Sequence, residues 1–413
     1  MDERRVIIVG GGAAGFFAAV TCAETSPGTR VTLLEKGGQF LSKVRISGGG
    51  RCNVTHACFD PRALEEHYPR GGSALMGAFR QFQPTETVEW FESRGVRLKT
   101  EPDGRMFPVT DSSLTIVNCL VESARAAGAE LMLNQAVTEV RRTAGKEFEL
   151  IMADGRVLRC DRLMLATGGC RAAAAGGLAV ALGHKLTPPV PSLFALQVAT
   201  PWLRQLAGIS LDRVEVAVPS VRLRQSGPMV ITHQGLSGPA ILRLSAWGAR
   251  QLHTLNYTFP LKINWLPGFS VDQMGQQLNG RRSAQAAKLV VNSPLVGVPS
   301  RLWEQLVLAS GITRETRWAA LSKNEQHQLV RQLCGTELAV EGKSLNKDEF
   351  VTCGGVRLGE VDFRTMESRI CPRLYIGGEL LDIDGLTGGF NFQSAWTTGW
   401  IAGRAMAGRG PGA

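Results

Sequence analysis

Gly10, Gly12 and Gly15 stand at the G-x-G-x-x-G spacing, and an acid, Glu35, follows 20 residues after the last of them. In that pattern one glycine makes a tight strand-to-helix turn. A second lets a pyrophosphate approach the backbone, and the third lets helix and strand pack closely. The phosphates would rest against free N–H groups at the positive end of the helix, and the acid would hold a ribose hydroxyl. Four apolar residues, 6–9, precede the glycines as a buried strand, 16–24 continues as a helix, and 31–34 is a second apolar strand ending at Glu35. Strand, glycines, helix, strand and acid in this order predict a dinucleotide site.

Two further glycine-rich segments carry chemistry. Ser47-Gly48-Gly49-Gly50-Arg51-Cys52-Asn53 sets three glycines beside a base and two small polar groups. Three in a row point to backbone lying against something flat or charged, with Arg51 for a phosphate and Cys52 and Asn53 facing a flavin ring. The plainer alternative is a surface loop. The run from Ile376 to Gln393 delivers an acid from a strand and then opens the last helix through a glycine-rich turn. The N–H groups of that helix would stabilise negative charge on a reduced isoalloxazine. Leu165-Ala166-Thr167-Gly168-Gly169 is a strand running into a diglycine, a weaker signal.

The elements that position these segments follow from the pattern. Residues 6–23 are uncharged and follow Arg4-Arg5, as a signal peptide or membrane anchor would, but a spanning helix has no need of glycines at this spacing. The expected reading is a buried strand plus helix of a soluble protein. Helices are expected at 85–94 and 114–127, a strand at 136–140 and a hairpin at 148–160. Pro188-Pro189-Val190-Pro191 marks a first boundary. Short alternating strands over 193–263 predict an antiparallel barrel or sandwich inserted into the first domain. Residues 271–338 read as helical. A last buried strand at 374–376 and a helix over 394–407 close the chain, with a frayed Arg-Gly-Pro-Gly tail. The expected domains are 1–190 and 350–413 as the two parts of one dinucleotide-binding domain, 191–270 as the barrel and 271–349 as a small helical insert.

Charge is uneven. Of a net +10, residues 191–350 hold 17 Lys/Arg against 10 Asp/Glu, or +7. From Val216 to Val271 there is no acid, only Arg222, Arg224, Arg243, Arg250 and Lys262, with Trp247, Tyr257, Phe259 and Trp265 among them. A solvated basic surface explains this; so does a platform for RNA or a phosphorylated substrate. The nine cysteines form no C-x-x-C pair and no metal-spaced cluster. They predict reduced thiols, a cytoplasmic setting and no metal.

Together the segments 10–15, 47–53, 166–169, Thr-His-Gln-Gly-Leu-Ser-Gly-Pro at 232–239 and 378–393 resemble a bacterial and plastid family of FAD/NAD(P)-dependent oxidoreductases. That family includes BaiN-type bile-acid reductases, aminoacetone oxidase-like proteins and the ribosomal RNA dihydrouridine synthase RdsA. The resemblance covers essentially the whole chain, and the second and fourth segments are particular to the family. It implies an α/β fold: a Rossmann-like FAD-binding domain of the two-dinucleotide-binding flavoprotein type, with an inserted antiparallel β-barrel and a small helical domain. It implies FAD contacts from Gly10, Gly12, Ala13, Ala14, Gly15, Glu35 and Lys36. Further contacts are implied from Ser47, Gly49, Gly50, Arg51, Cys52, Asn53, Val137, Thr167, Gly168 and Gly169, and from Gly378, Glu379, Asp384, Gly388, Gly389, Phe390, Asn391 and Gln393. The chain departs from the family after Gly169, where Cys170 to Gly177 replaces a polar, proline-containing loop.

The resemblance also implies NADH or NADPH as a transient hydride donor, since no second G-x-G-x-x-G is present. It would bring His233 toward the flavin as a proton donor, although Gly235, Gly238 and Pro239 equally make His233 a turn residue. Cys52 is the rival donor, or a small packed residue. The expected reaction is reduction of an activated C=C bond, with uridine in large-subunit ribosomal RNA as the leading substrate. An amine oxidase, a reductase of steroid-like small molecules and a non-catalytic flavin-stabilised RNA-binding factor are the alternatives. No membrane partner is expected.

Overall fold

Residues 4–170, 173–344 and 351–408 are described by a computed structural model. Residues 171–172 of the atypical loop, 345–350 and the 409–412 tail lie outside the described residues. Two compact units emerge: the described residues up to Ser192 together with those from 351 onward, and residues 193–344.

The first unit is built on β1 (Arg4–Val9), whose last four side chains are buried, as a central parallel strand covered on both faces requires. Helix α1 (Ala13–Thr25), β2 (Thr29–Leu34) and α2 (Ser42–Gly50) follow, then β3 (Glu130–Met132) and β4 (Arg162–Leu165). The strand β11 (Leu374–Ile376) comes near the C-terminus, so the parallel order is β11-β4-β1-β2-β3, and two short antiparallel strands extend the β11 edge. Val9 lies level with Leu34 on one side and Leu165 on the other, and Leu165 with Ile376. Register therefore brings the segments after Val9, Leu34, Leu165 and Ile376 to one sheet edge, the carboxyl ends where open α/β sheets bind ligands.

Helix α5 (Phe390–Met406) packs along α1. Two of its glycines permit this: a Cβ on Gly399 would stand 2.4 Å from the Ala14 carbonyl oxygen, and one on Gly403 2.7 Å from that of Ala18. The helix starts at Phe390, four residues before the expected 394, because Gly389 at φ 96° makes the turn. The expected helices near 85–94 and 114–127 are Pro84–Glu92 and Ser113–Ala126, and the strand at 137–142 pairs with the 148–160 hairpin.

The second unit is a closed six-stranded antiparallel barrel with helices beside it. Its strands are β5 (Ala195–Val198), β6 (Ser210–Val218), β7 (Leu223–Thr232), β8 (Gly235–Ser237), β9 (Phe259–Asn264) and β10 (Thr336–Ser344), in the order β5-β8-β7-β6-β9-β10 with β10 returning to β5. Alternation directs Val214, Val216 and Val218 inward. Strand β10 begins within the stretch read as helical; Thr336, Leu338 and Val340 alternate buried with exposed neighbours, and the preceding helix Lys323–Gly335 ends directly into it. Helices α3 (Pro239–Trp247) and α4 (Val271–Ala284) follow β8 and β9. Among the described residues no helix is long and apolar enough to cross a membrane.

Candidate functional site

Between β1 and α1 each glycine has a different surrounding. Gly10 sits at φ 116°, and a Cβ there would stand 2.2 Å from the Ala166 carbonyl oxygen; a Cβ on Gly15 would stand 2.0 Å from that of Gly10. Both positions exclude any side chain. A Cβ on Gly12 meets nothing within 4 Å, so this backbone faces open space. Helix α1 has no capping side chain and no acid in its first turn. The N–H groups at Ala13, Ala14 and Gly15 are therefore left to an outside anion. Glu35 stands beside them, accepting from the N–H of Gly11 at 2.9 Å and of Gly37 at 2.8 Å, while Lys36 next to it is exposed.

The second glycine-rich loop ends α2. Ser47 leaves helical geometry, and Gly48, Gly49 and Gly50 all take left-handed φ, from 58° to 84°. Space is open above Gly49 and Gly50. Arg51 does not reach outward as a free phosphate partner: it pairs with Glu101 at 2.7 Å and Asp111 at 3.5 Å, over the Phe107 ring. The Cys52 thiol is completely buried, and burial pushes its pKa up to about 12, against a small lowering by Ser47. It carries a proton but has no surface from which to deliver it, so the packed-residue reading describes it.

This loop meets the C-terminal one. With the amide oriented to satisfy both ends, Asn53 accepts from the Gly389 N–H at 3.0 Å and donates to the Thr55 carbonyl. Gly389 lies so close to the Thr55 backbone that a Cβ would fall 2.5 Å from it. Trp396 donates to the Val54 carbonyl at 2.9 Å. The Phe390 ring lies near-parallel to the rings of His56, at 4.7 Å, and His67, at 4.2 Å, which also neighbour each other at 5.9 Å, while Tyr68 donates to the Phe390 carbonyl. Asn391 closes the turn by bonding both ways with Gly385. Like α1, helix α5 opens without a capping side chain or a first-turn acid. Gly399 lies against Ala14 in parallel helices, so eight residues of rise place this second bare N-terminus about 12 Å beyond that of α1.

Several expected contacts are structural instead. Asp384 is completely buried and ion-paired to Arg70, with Ser192 donating at 2.7 Å. Burial raises its pKa, while Arg70 opposes that shift. Gln393 is equally enclosed, accepting from Thr55 and Thr87 and donating to Thr397. Both carry side-chain capacity already used inside the unit, which removes them as side-chain contacts to a ligand. Glu379 does line the sheet edge: it pairs with Lys43, accepts from the Thr352 N–H, and sets its Oε1 2.9 Å from where a Cβ on Gly169 would be. Gly168 takes φ 78° with open space above it, between Thr167 and Gly169, and Gly378 packs on Ala14. Val137 is half-buried in the strand 137–142. His233 is exposed at the tip of the two-residue turn joining β7 and β8 in the second unit. Arg70, Tyr68, His56 and His67 carried no local signal, because only long-range pairing gives them their part.

Open backbone at Gly12, Gly49, Gly50 and Gly168, two bare helix N-termini and an acid at the strand ends suit a long molecule with phosphates in its middle. Residues 4–405 match the family described as HI0933-like protein Rossmann domain. The chain belongs to that family. It is 31% identical over 414 residues, 98% of this chain and 99% of the relative, to the 3-dehydro-bile acid delta(4,6)-reductase of Clostridium scindens. It is 30% identical to the ribosomal RNA dihydrouridine synthase of Escherichia coli, covering 97% of each chain. It shares its fold, at a TM-score of 0.52 and 16% identity over 98% of this chain and 97% of the other, with a 3-ketosteroid-delta4-(5alpha)-dehydrogenase from Rhodococcus jostii RHA1.

Membership sets the coarse class of this HI0933-like chain: a flavoprotein oxidoreductase on a Rossmann-type FAD-binding fold, with the expected barrel inserted. The cradle fits flavin adenine dinucleotide, because the glycines that must stay bare against protein are distinct from those that stay bare toward open space. Among the described residues no group of three His, Cys, Asp or Glu side chains is placed to hold a metal ion.

Proposed function

We propose that this chain binds FAD at the sheet edge, takes hydride from NADH or NADPH, and reduces an activated carbon–carbon double bond. The leading substrate is a uridine of large-subunit ribosomal RNA. One observation carries the reading: two near-full-length relatives, at 30% identity or above, are named for making dihydrouridine and for reducing a delta(4,6) bile acid. Both names describe addition of two hydrogens across a double bond conjugated to a carbonyl. Bound FAD supplies the hydride relay.

The residues supply the rest. The N–H groups at Gly12 to Gly15 hold the pyrophosphate and Glu35 a ribose hydroxyl. The loops 48–53 and 388–391 hold the far end, where the N-terminus of α5 favours negative charge. Gly168 leaves the backbone open in the middle of the groove, and Gly169 next to it packs against Thr352 and Glu379. Of the two candidate proton donors the Cys52 thiol is sealed, which leaves His233 as the one whose removal is tested. The bile-acid relative favours a second reading, reduction of an enone in a small molecule.

The test is to map dihydrouridine in ribosomal RNA from cells with and without this protein, and to restore it with the wild type and with His233→Ala. Loss of one dihydrouridine, restored by the wild type only, is the expected outcome. Unchanged dihydrouridine, with NADH consumed only when a steroid-like enone is added, would transfer the proposal to the small molecule.

A further inference from the structure

The basic charge of the second unit is not neutralised evenly. On the barrel, outward residues in register across β7, β6, β9 and β10 are Arg224, Ala217, Lys262 and Glu337. Arg224 also pairs with Glu215 at 3.3 Å. Two acids thus stand among the bases of that face. The helical part differs. Residues 271–335 hold eight Lys/Arg against four acids, Asp272, Glu304, Glu315 and Glu325, and Glu304 is taken up by Arg314. Beyond the C-terminal end of α4 the chain brings Arg282, Lys288 and Arg317 together: Arg282 donates to the Ala319 carbonyl, the Trp318 N–H donates to that of Lys288, and Leu289 bridges Arg317. No carboxylate pairs with these three, or with Arg281, among the described residues. Complementing the dipole of α4 accounts for Arg281 and Arg282, in its last turn, but not for Lys288 and Arg317.

Of the four cations, Arg281 also lines an open groove of about 520 Å³ on α4. Gln273, Gln277 and Arg281 line it from successive turns of α4, with Phe269 at one end and Gln285 at the other. The stripe from residue 273 to 284 is about 16 Å long. Phe269 is 38% exposed, one of three large rings, with Phe59 and Trp247, that stand open to solvent, and the one that lines this groove. An exposed aromatic face, amides with both donor and acceptor, and unpaired cations beside them match the three parts of a single-stranded nucleic acid: base face, base edge and phosphate.

We infer that the α4 groove, with Arg281, Arg282, Lys288 and Arg317, is a docking site for single-stranded RNA. The inference rests on the RNA-substrate reading and deepens it, assigning the grip on RNA to the helical part and not to the basic barrel window. Phosphates contact the four cations, and an unstacked base lies on Phe269.

The test uses the full-length, FAD-loaded protein and a fluorescein-labelled single-stranded oligouridylate, titrated across a salt series. Replacing all four cations (R281Q, R282Q, K288Q, R317Q) should make the slope of log affinity against log salt shallower by about 3, at about 0.7 per phosphate contact on a single strand. The milder pair K288Q and R317Q, which guards against misfolding, should reduce it by about 1.4. Phe269→Ala should weaken binding about 5- to 100-fold and leave the slope unchanged. Arg222→Gln with Arg224→Gln on the barrel should change affinity less than about twofold. Flavin absorbance and NAD(P)H-driven flavin reduction should stay at wild-type values throughout. If the wild type binds RNA and the α4 variants bind with the same slope, the inference is overturned and the proposed reaction stands. If the wild type binds no RNA, the inference and the RNA substrate fall together, while flavin colour and hydride uptake still judge the rest.

Discussion

Gly12 separates a structural glycine from a binding one. Its φ of −97° suits any residue, and a Cβ there touches nothing within 4 Å, whereas Gly10 and Gly15 are closed by carbonyl oxygens. Gly12→Ala should therefore leave the melting temperature of the FAD-free protein within the shift expected for about 0.5 kcal/mol. The same change should weaken FAD binding by about tenfold or more, because the methyl group fills the place of the phosphates. A thermal melt and a flavin-fluorescence titration of one variant check both halves. A fallen melting temperature with intact FAD affinity would return Gly12 to the scaffold. This division was legible only in part from sequence: spacing marks all three glycines, but cannot tell which face protein. Asp384 and Gln393 show the opposite error. Polar side chains beside glycine turns have the composition of a ligand shell, and only Arg70, Ser192 and the threonines around them reveal that their hydrogen bonds are spent internally.

At the scale of elements, the pairing of α1 with α5 sets the spacing of the two helix N-termini. Gly403→Leu would drive a side chain into the Ala18 carbonyl and the Thr21 side chain, at 2.7 and 2.8 Å from its Cβ. A loss of about 3 kcal/mol, read by denaturant unfolding, with loss of bound flavin is expected. The start of the sheet is pinned by Asp161, which accepts from the Arg5 N–H at 2.7 Å and faces its guanidinium. Burial acts to raise the Asp161 carboxyl, but the Arg5 N–H and guanidinium outweigh it and hold it below the ordinary 3.8. A depressed carboxyl stabilises the fold above pH 3.8 and loses that contribution as pH falls through the lower folded value. Asp161→Asn should cost about 1 kcal/mol at neutral pH, since the pair is partly exposed, and the gap to wild type should close below pH 3.8. Strands β1, β2 and β4 were readable because buried parallel strands need unbroken apolar runs. Strand β10 was not, because it follows the helix with no loop between them, and Gly335, the one residue that marks the change, also reads as a tolerated glycine within a helical stretch.

For the whole molecule, both ends of the chain contribute to one sheet edge, and the barrel with its helices lies between them in sequence. Glycine-rich segments at 10–15, 47–53 and 378–393 announced that edge, since backbone that must stay bare can be written only with glycine. The shell supplied by residues 53–70 stayed silent, being made of ordinary side chains whose part is set by partners more than 300 positions away, as in Arg70 with Asp384 and Tyr68 with Phe390. The central claim is that each chain holds one flavin adenine dinucleotide along that edge. Titration of the folded protein, freed of bound nucleotide, with FAD tests it most directly. Quenching of flavin fluorescence that saturates at one FAD per chain, with a yellow protein after gel filtration, is the predicted result. A well-folded protein that stays colourless in excess FAD would contradict the account.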